Sequence, residues 1–262
     1  MKHYALIGEH LGHSMSVPIH EAIFRRLGID ADYRLVELPR DGFAEGARRL
    51  MDEVDGFNIT IPYKQDIIPL LSGLDDAARA IGAVNTVSLD GPAVGYNTDV
   101  PGFAAMLRMH GIDPQGQPCY VLGTGGASKA VVAALHRMGA QRVTLVSRSP
   151  RGEGVIDYDR LGEEFSGVLV NTTPAGMLYQ QDTCPIREDA LPGILRRATG
   201  VADIIYNPPE TVLTAAARRL GVPACTGMTM LIAQAVEAES IWQGYPMPDG
   251  LTETLDKELK LL

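Results

Sequence analysis

Apolar positions along the chain fall into two alternating rhythms. A short apolar run over residues 4–8 reads as a buried strand, the spacing of Ile19, Ile23 and Leu27 predicts a helix over 17–27, and residues 33–38 read as the next strand. A helix over 43–51, a strand over 56–60, a helix near 65–71 and a strand over 83–89 follow, the last closed by the turn at Asp90, Gly91 and Pro92. These elements predict an α/β unit of about a hundred residues. Residues 100–110 have helical spacing, the loop Asp113-Pro-Gln-Gly-Gln-Pro118 is rich in breakers, and a new strand begins at 119–122. The domain boundary is therefore placed near Pro101. Beyond it come a glycine loop, a helix over 128–138, a strand over 142–147 and further strands over 168–171 and 201–205. Strands and helices alternating at this spacing predict a parallel, doubly wound sheet. The last helical segment, 228–242, fits either the second domain's helix layer or a return to the first.

Length supports two domains, because 262 residues lies where single hydrophobic cores stop growing. Hydrophobic residues at 45% and charged residues at 21% exclude a disordered or low-complexity chain. Lys and Arg total 23 against 32 Asp and Glu, a formal net charge of −9, which opposes binding to nucleic-acid phosphates or an anionic membrane. Cys119, Cys184 and Cys225 are odd in number and far apart, so neither a disulfide framework nor a metal site is expected. With no apolar run of membrane-spanning length and no signal-like start, the expected location is the cytoplasm.

The residues that bear chemistry gather at predicted strand ends. Gly123, Thr124, Gly125, Gly126 and Ala127 follow a strand and open a helix, where a dinucleotide's pyrophosphate needs close backbone approach and helix N–H donors. Ser128 stands where a literal GxGxxG would have its third glycine, and the plainer alternative is a tight strand-to-helix turn. The following strand ends in Ser147, Arg148 and Ser149, with Arg151 close behind, where an acid would hold the ribose hydroxyls of NAD. A cation there suits the 2′-phosphate of NADP, the alternative being a solvated basic turn. In the first domain, Ser14 and Ser16 precede a helix, Asn58, Thr60 and Lys64 end the third strand, and Asn85, Asn97 and Asp99 follow. Their convergence would suit a small polyhydroxylated acid. Singly, the serines and Asp99 could be N-caps, Asn97 an Asx turn and Lys64 a surface charge.

Seven motifs narrow this reading. Gly12-His-Ser-Met-Ser, Asn58-Ile-Thr-Ile-Pro-Tyr-Lys, Gly82-Ala-Val-Asn-Thr, Gly95-Tyr-Asn-Thr-Asp, Gly123-Thr-Gly-Gly-Ala, Asn171-Thr-Thr-Pro-Ala-Gly-Met and Met230-Leu-Ile-Ala-Gln together resemble the shikimate dehydrogenase family, over nearly the whole chain. The resemblance implies an N-terminal α/β substrate domain over 1–100 and a C-terminal Rossmann domain over 101–227 that binds NADP. It also implies that 228–262 packs back on the first domain. The implied activity is reversible, NADP-dependent reduction of 3-dehydroshikimate to shikimate, in a cleft between the domains, on the route to chorismate and aromatic amino acids. Position by position, it gives Lys64 and Asp99 as the catalytic pair and Ser14 and Ser16 as holders of the substrate carboxylate. Thr60, Asn85, Tyr206 and Gln234 match the remaining substrate contacts. Gly123, Thr124, Gly125, Gly126, Ala127, Ser147, Arg148, Ser149, Arg151, Ile204 and Gly227 match cofactor positions. The family includes monomers and dimers, so a homodimer is allowed.

The chain departs from the family at Val17 and Pro18, where Pro usually follows the second serine directly, and at Glu21, where Asn usually follows His20. Ser147-Arg-Ser149 replaces the commoner Asn-Arg-Thr, keeping the cation and two side-chain oxygens but losing an amide donor. Hydride transfer to a carbonyl makes an alkoxide that needs a proton, and Lys64 can either deliver it or stay charged and stabilise the alkoxide while water delivers it. Rival readings are a quinate or quinate/shikimate dehydrogenase, a methylene-tetrahydrofolate dehydrogenase, and a noncatalytic NADP-binding sensor. The serine pair, with Asn58 and Thr60, opposes the second, and the intact Lys64 and Asp99 oppose the third.

Overall fold

The computed structural model describes residues 1–12 and 14–259. His13 of the first motif and residues 260–262 of the C-terminal segment lie outside the described residues. The chain forms two compact units, Met1–Asp99 with Ile232–Leu262, and Val100–Leu231.

In chain order the first unit contributes β1 (Lys2–Gly8), α1 (Ser16–Leu27), β2 (Ala31–Glu37), α2 (Phe43–Met51), β3 (Gly56–Ile59), β4 (Gly73–Leu74), α3 (Asp76–Ile81), β5 (Thr86–Ser88) and β6 (Val94–Tyr96). Its strands form one mixed sheet in the order β2-β1-β3-β5-β6-β4. β1 runs parallel to both β2 and β3, whereas β5 pairs antiparallel with β3 and β6. Residues 65–71 do not form the expected α-helix. They make consecutive turns that end in a single 3-10 turn, Ile68–Leu70, because Pro69 has no N–H to donate and its ring obstructs a continuing helix. The strand expected over 83–89 shortens to Thr86–Ser88, and Val84 N donates outside the sheet, to the Lys64 carbonyl.

The chain then passes through α4 (Asp99–Met109) to β7 (Pro118–Leu122), α5 (Gly126–Arg137), β8 (Arg142–Val146), β9 (Val155–Ile156), α6 (Tyr158–Glu164), β10 (Gly167–Asn171), α7 (Leu191–Leu195), β11 (Ala198–Asp203), α8 (Val212–Arg219) and β12 (Ala224–Cys225). All neighbours in this second sheet are parallel, in the order β12-β11-β10-β7-β8-β9. This is the doubly wound arrangement, with its crossover point between β7 and β10. Cys119 to Leu122 on β7 and Val168 to Val170 on β10 are fully buried, as central strands covered on both faces must be.

Two helices close the chain, α9 (Met228–Gln243) and α10 (Leu251–Leu259). The C-terminal half of α9 packs Ala238 and Trp242 onto the face of the first unit's sheet that carries Tyr4, Leu6 and Tyr33. The Trp242 ring stacks on Tyr4 with centroids 4.4 Å apart, and its Nε1 donates to the Val87 carbonyl at 2.9 Å. Gly56 makes this approach possible, because a Cβ there would lie 2.4 Å from the indole nitrogen. Burying this one ring fixes the height of α9 against the sheet, and with it Gln234 and Glu239. No helix among the described residues is long and apolar enough to cross a membrane.

Candidate active site

In the first unit the sheet's strand ends gather a polar cluster. β3 finishes at Ile59, Thr60 N donates to the Ile7 carbonyl, and the chain turns so that Tyr63 N reaches the Thr60 carbonyl. Tyr63 is buried and stacks on Phe43 at 4.1 Å, which anchors the turn that carries Lys64. Asn97 prepares the opposite side. Its Oδ1 accepts from Asp99 N at 3.2 Å in an Asx turn, while its Nδ2 donates to the Ala83 carbonyl at 2.9 Å.

Lys64 Nζ and Asp99 Oδ2 meet at 2.6 Å, a short charge-assisted hydrogen bond between side chains that keep 26% and 13% of their exposure. The other Asp99 oxygen accepts from Asn85 Nδ2 at 3.0 Å. Asn85 also donates to Thr98 Oγ1 and accepts from Thr98 N, at 3.0 and 2.8 Å, so both ends of its amide are fixed. Thr98 Oγ1 donates in turn to Gln234 Oε1 at 3.3 Å, which joins α9 to the cluster. Ser14 Oγ accepts from Ser16 N at 3.2 Å and donates to Ser16 Oγ at 3.1 Å. Met15, not a serine, is the N-cap of α1, and no side chain bonds there as a cap. The pair of hydroxyls therefore stands at the start of α1, with Ser16 nearly buried and Ser14 half-buried. Thr60 is half-buried at the end of β3. The cluster thus combines a cation, a carboxylate, two hydroxyls beside a helix start and two amides. Such a set can orient a small polyol acid and move one proton.

The second unit holds the remaining predicted residues. Gly123 follows β7 at φ +100°, a conformation that L side chains rarely adopt, and its backbone lies against Thr172 and Thr173. A Cβ at Gly125 or Gly126 would meet nothing within 4 Å, so in the loop that runs from Gly123 through Thr124 to Ala127 the backbone at these two glycines borders open space. Gly125 is the N-cap of α5, no side chain caps it, and the first turn carries no acid. Backbone donors of a twelve-residue helix therefore face that space, a fit for a pyrophosphate. At the end of β8 Ser147 is half-buried and accepts from Ser149 N at 3.2 Å, while Arg148 and Arg151 are exposed and make no ion pair among the described residues. The Arg148 charge partly offsets the burial that raises the Tyr158 phenol's pKa, which places that ring near the guanidinium.

Ile204 N donates to the Asn171 carbonyl at 3.1 Å. Gly227 passes so close to this strand end that a Cβ there would lie 2.0 Å from the Ile204 carbonyl oxygen. Tyr206, half-buried with its phenol pKa raised by burial, belongs to this second unit. Among the described residues no group of three or more His, Cys, Asp or Glu is placed to hold a metal ion.

Three residues of the first cluster were not singled out from the sequence. Thr86 and Thr98 lie inside quoted motifs, next to Asn85 and Asp99, and their position there was the available signal. Tyr33, whose hydroxyl donates to Asn58 Oδ1 at 2.7 Å, is a single buried residue of β2, and nothing local marks its hydroxyl.

Comparison with known proteins bears on both units. A family model described as the shikimate dehydrogenase substrate binding domain matches residues 6–87. A shikimate dehydrogenase (NADP(+)) of Clostridium beijerinckii is 37% identical over 265 residues, covering 97% of each chain. Among solved structures, a chorismate mutase/shikimate 5-dehydrogenase fusion protein from Clostridium acetobutylicum superposes with a TM-score of 0.94 at 35% identity, over 100% of this chain and 98% of that one. A shikimate 5-dehydrogenase from Thermus thermophilus, in complex with NADP(H) and shikimate, gives 0.86 at 29% identity, covering 98% and 99%.

Proposed function

Because the chain belongs to the shikimate dehydrogenase family, a family of NADP-dependent oxidoreductases, we propose that it interconverts 3-dehydroshikimate and shikimate with Lys64 and Asp99 as the acid–base pair. The observation that carries this reading is the 2.6 Å contact between Lys64 Nζ and Asp99 Oδ2, oriented from behind by Asn85. In this reading the first unit binds substrate and the second binds NADP, as the open, uncapped loop at Gly123 to Ala127 supports.

Bound NADPH would supply the hydride that reduces the ring carbonyl. Lys64 donates a hydrogen bond to the carbonyl oxygen and meets the negative charge that develops there, a donor being worth most where charge forms in the transition state. Asp99 holds the ammonium in place with one oxygen, and its second oxygen is occupied by Asn85. With the hydride added, the pair gives the former carbonyl oxygen a proton, and in the oxidative direction it accepts the hydroxyl proton back. Ser14 and Ser16 anchor the substrate carboxylate, and Thr60, Asn85, Gln234 and Tyr206 hold the ring hydroxyls and the remaining carboxylate contacts. On the cofactor, Ser147, Arg148, Ser149 and Arg151 take the 2′-phosphate, and Ile204 and Gly227 are further cofactor contacts. Arg148 is the selective element, because a guanidinium pairs a phosphate bidentately and no acid at the end of β8 is available for the hydroxyls of NAD.

The reaction, run in the direction of shikimate oxidation, supplies the test. Shikimate or quinate is mixed with NADP or NAD at alkaline pH, and reduced nicotinamide is followed by absorbance across the four combinations. Rapid reduction with shikimate and NADP alone is expected, because a site built for one set of hydroxyls discriminates strongly against another. Comparable turnover of quinate would overturn the substrate assignment, comparable use of NAD the role of Arg148, and binding of NADP without turnover in any arm the catalytic reading.

A further inference from the structure

We propose that Tyr33 is a positioning residue for the Lys64–Asp99 pair, acting through Asn58, Thr86 and Asn85; this rests on the acid–base role given to that pair above. Each link runs one way. The Tyr33 hydroxyl donates to Asn58 Oδ1 at 2.7 Å. An amide has one accepting and one donating end, so this turns Asn58 Nδ2 the other way, where it donates to Thr86 Oγ1 at 2.9 Å and to the Asn85 carbonyl at 3.2 Å. The Thr86 hydroxyl lies 3.2 Å from Asn85 Oδ1, to which it donates, and 3.3 Å from Thr98 Oγ1. With Oδ1 engaged by Thr86 and, at 2.8 Å, by Thr98 N, Asn85 Nδ2 faces Asp99 Oδ1, and Asp99 Oδ2 is left for Lys64. The last donor of this path, Asn85 Nδ2, fixes which Asp99 oxygen meets the lysine. Reversing the Asn58 amide would turn its oxygen against the Asn85 carbonyl.

Tyr33 is well placed to set this direction. Asn58, Thr86 and Asn85 are all buried, so none can turn to water if a partner is lost. The phenol ring stacks on His20 with centroids 4.0 Å apart, and His20 Nδ1 is 2.7 Å from Glu239 Oε1, both side chains being fully buried. Burial, with the Glu239 charge second, raises the phenol's pKa well above its usual value, so the hydroxyl keeps its proton and remains a donor.

The test uses Tyr33→Phe, which keeps the ring and its stacking and removes only the hydroxyl, and Thr86→Val, which breaks the chain at its middle with little change of shape. Each is measured alone and with Asp99→Asn, at enzyme concentrations high enough to follow the slower variants. Tyr33→Phe is expected to lower kcat for shikimate oxidation about tenfold with KM changed less than about threefold, the scale of one buried acceptor left unmet. Thr86→Val should do the same, and the two together should lose little more than either. In the Asp99→Asn background the loss should shrink to less than about twofold, since the end of the chain is gone. An unchanged kcat in both single variants, or the same tenfold loss with and without Asp99, would overturn the proposal and leave Tyr33 a structural residue. Should Tyr33→Phe fold poorly by circular dichroism, Thr86→Val in the two backgrounds decides the matter by the same criterion. Wild-type kcat in Asp99→Asn alone would instead overturn the acid–base assignment, and with it the reason for the chain.

Discussion

Asp203 ends β11 with no exposed surface, and its carboxylate joins two loops of the second unit. It accepts from Ile205 N at 3.1 Å, Asn171 Nδ2 at 3.0 Å and Thr211 Oγ1 at 2.9 Å. Asn171 precedes the threonines that pack on Gly123, so this carboxylate braces the back of the glycine loop. Burial raises its pKa from 3.8 to about 6, outweighing the three hydrogen bonds that pull it down. A carboxyl that binds its proton more tightly folded than unfolded contributes nothing below about pH 3, where both states are protonated. It costs stability as pH rises through the interval from about 4 to about 6, and the cost stays constant above that. At 1.36 kcal/mol per unit, the full cost is about 3 kcal/mol.

Asp203→Asn cannot titrate, so the stability difference between wild type and variant isolates this group. Urea unfolding at pH values from 3 to 7 should show wild type losing about 3 kcal/mol relative to Asp203→Asn across that interval. The lost hydrogen bonds of the variant shift the whole curve without changing its slope. The readout should be far-ultraviolet circular dichroism, because the single tryptophan, Trp242, belongs to the other unit. A difference flat to within about 0.5 kcal/mol over the same range would refute the reasoning, and would mean that three hydrogen bonds cancel the burial.

Two further outcomes follow from the packing and the charge pattern. Trp242→Ala should cost about 3–5 kcal/mol in urea unfolding of the first unit, as expected for a buried aromatic residue with a satisfied N–H, and a cost below about 1 kcal/mol would mean that α9 is held elsewhere. Arg148→Ala should raise KM for NADP by about tenfold or more, the scale of a lost charge-assisted hydrogen bond, while moving KM for NAD little; an equal effect on both cofactors would remove Arg148 from 2′-phosphate recognition.

Local periodicity carried much of the architecture. Residues 43–51 were read as a helix and form α2 over that span, because one apolar stripe faces the sheet at Phe43, Ala47 and Leu50. The strands of the second sheet were legible for a related reason, since central parallel strands are continuous apolar runs. Short edge strands such as β4, β9 and β12 escaped, having two residues each and no pattern to repeat. Pro69 defeated the reading of 65–71, where apolar spacing suggested a helix that the backbone cannot continue. The polar cluster was legible only as separate residues. Tyr33 and Asn58, 25 positions apart, sit on strands that are not neighbours in the sheet order. Their hydrogen bond depends on strand order and register, which no local pattern states. For the same reason Glu239 read as one more acid on a helix, although it faces a buried histidine 219 positions away.

The contact between Lys64 and Asp99 bears the heaviest part of the functional reading, and replacing the lysine tests it most directly. Steady-state oxidation of shikimate by NADP should show Lys64→Ala lowering kcat at least about a hundredfold with KM for shikimate little changed, the signature of a group that acts mainly in the transition state. An unchanged kcat would remove Lys64 from the chemistry and leave the 2.6 Å pair a structural salt bridge.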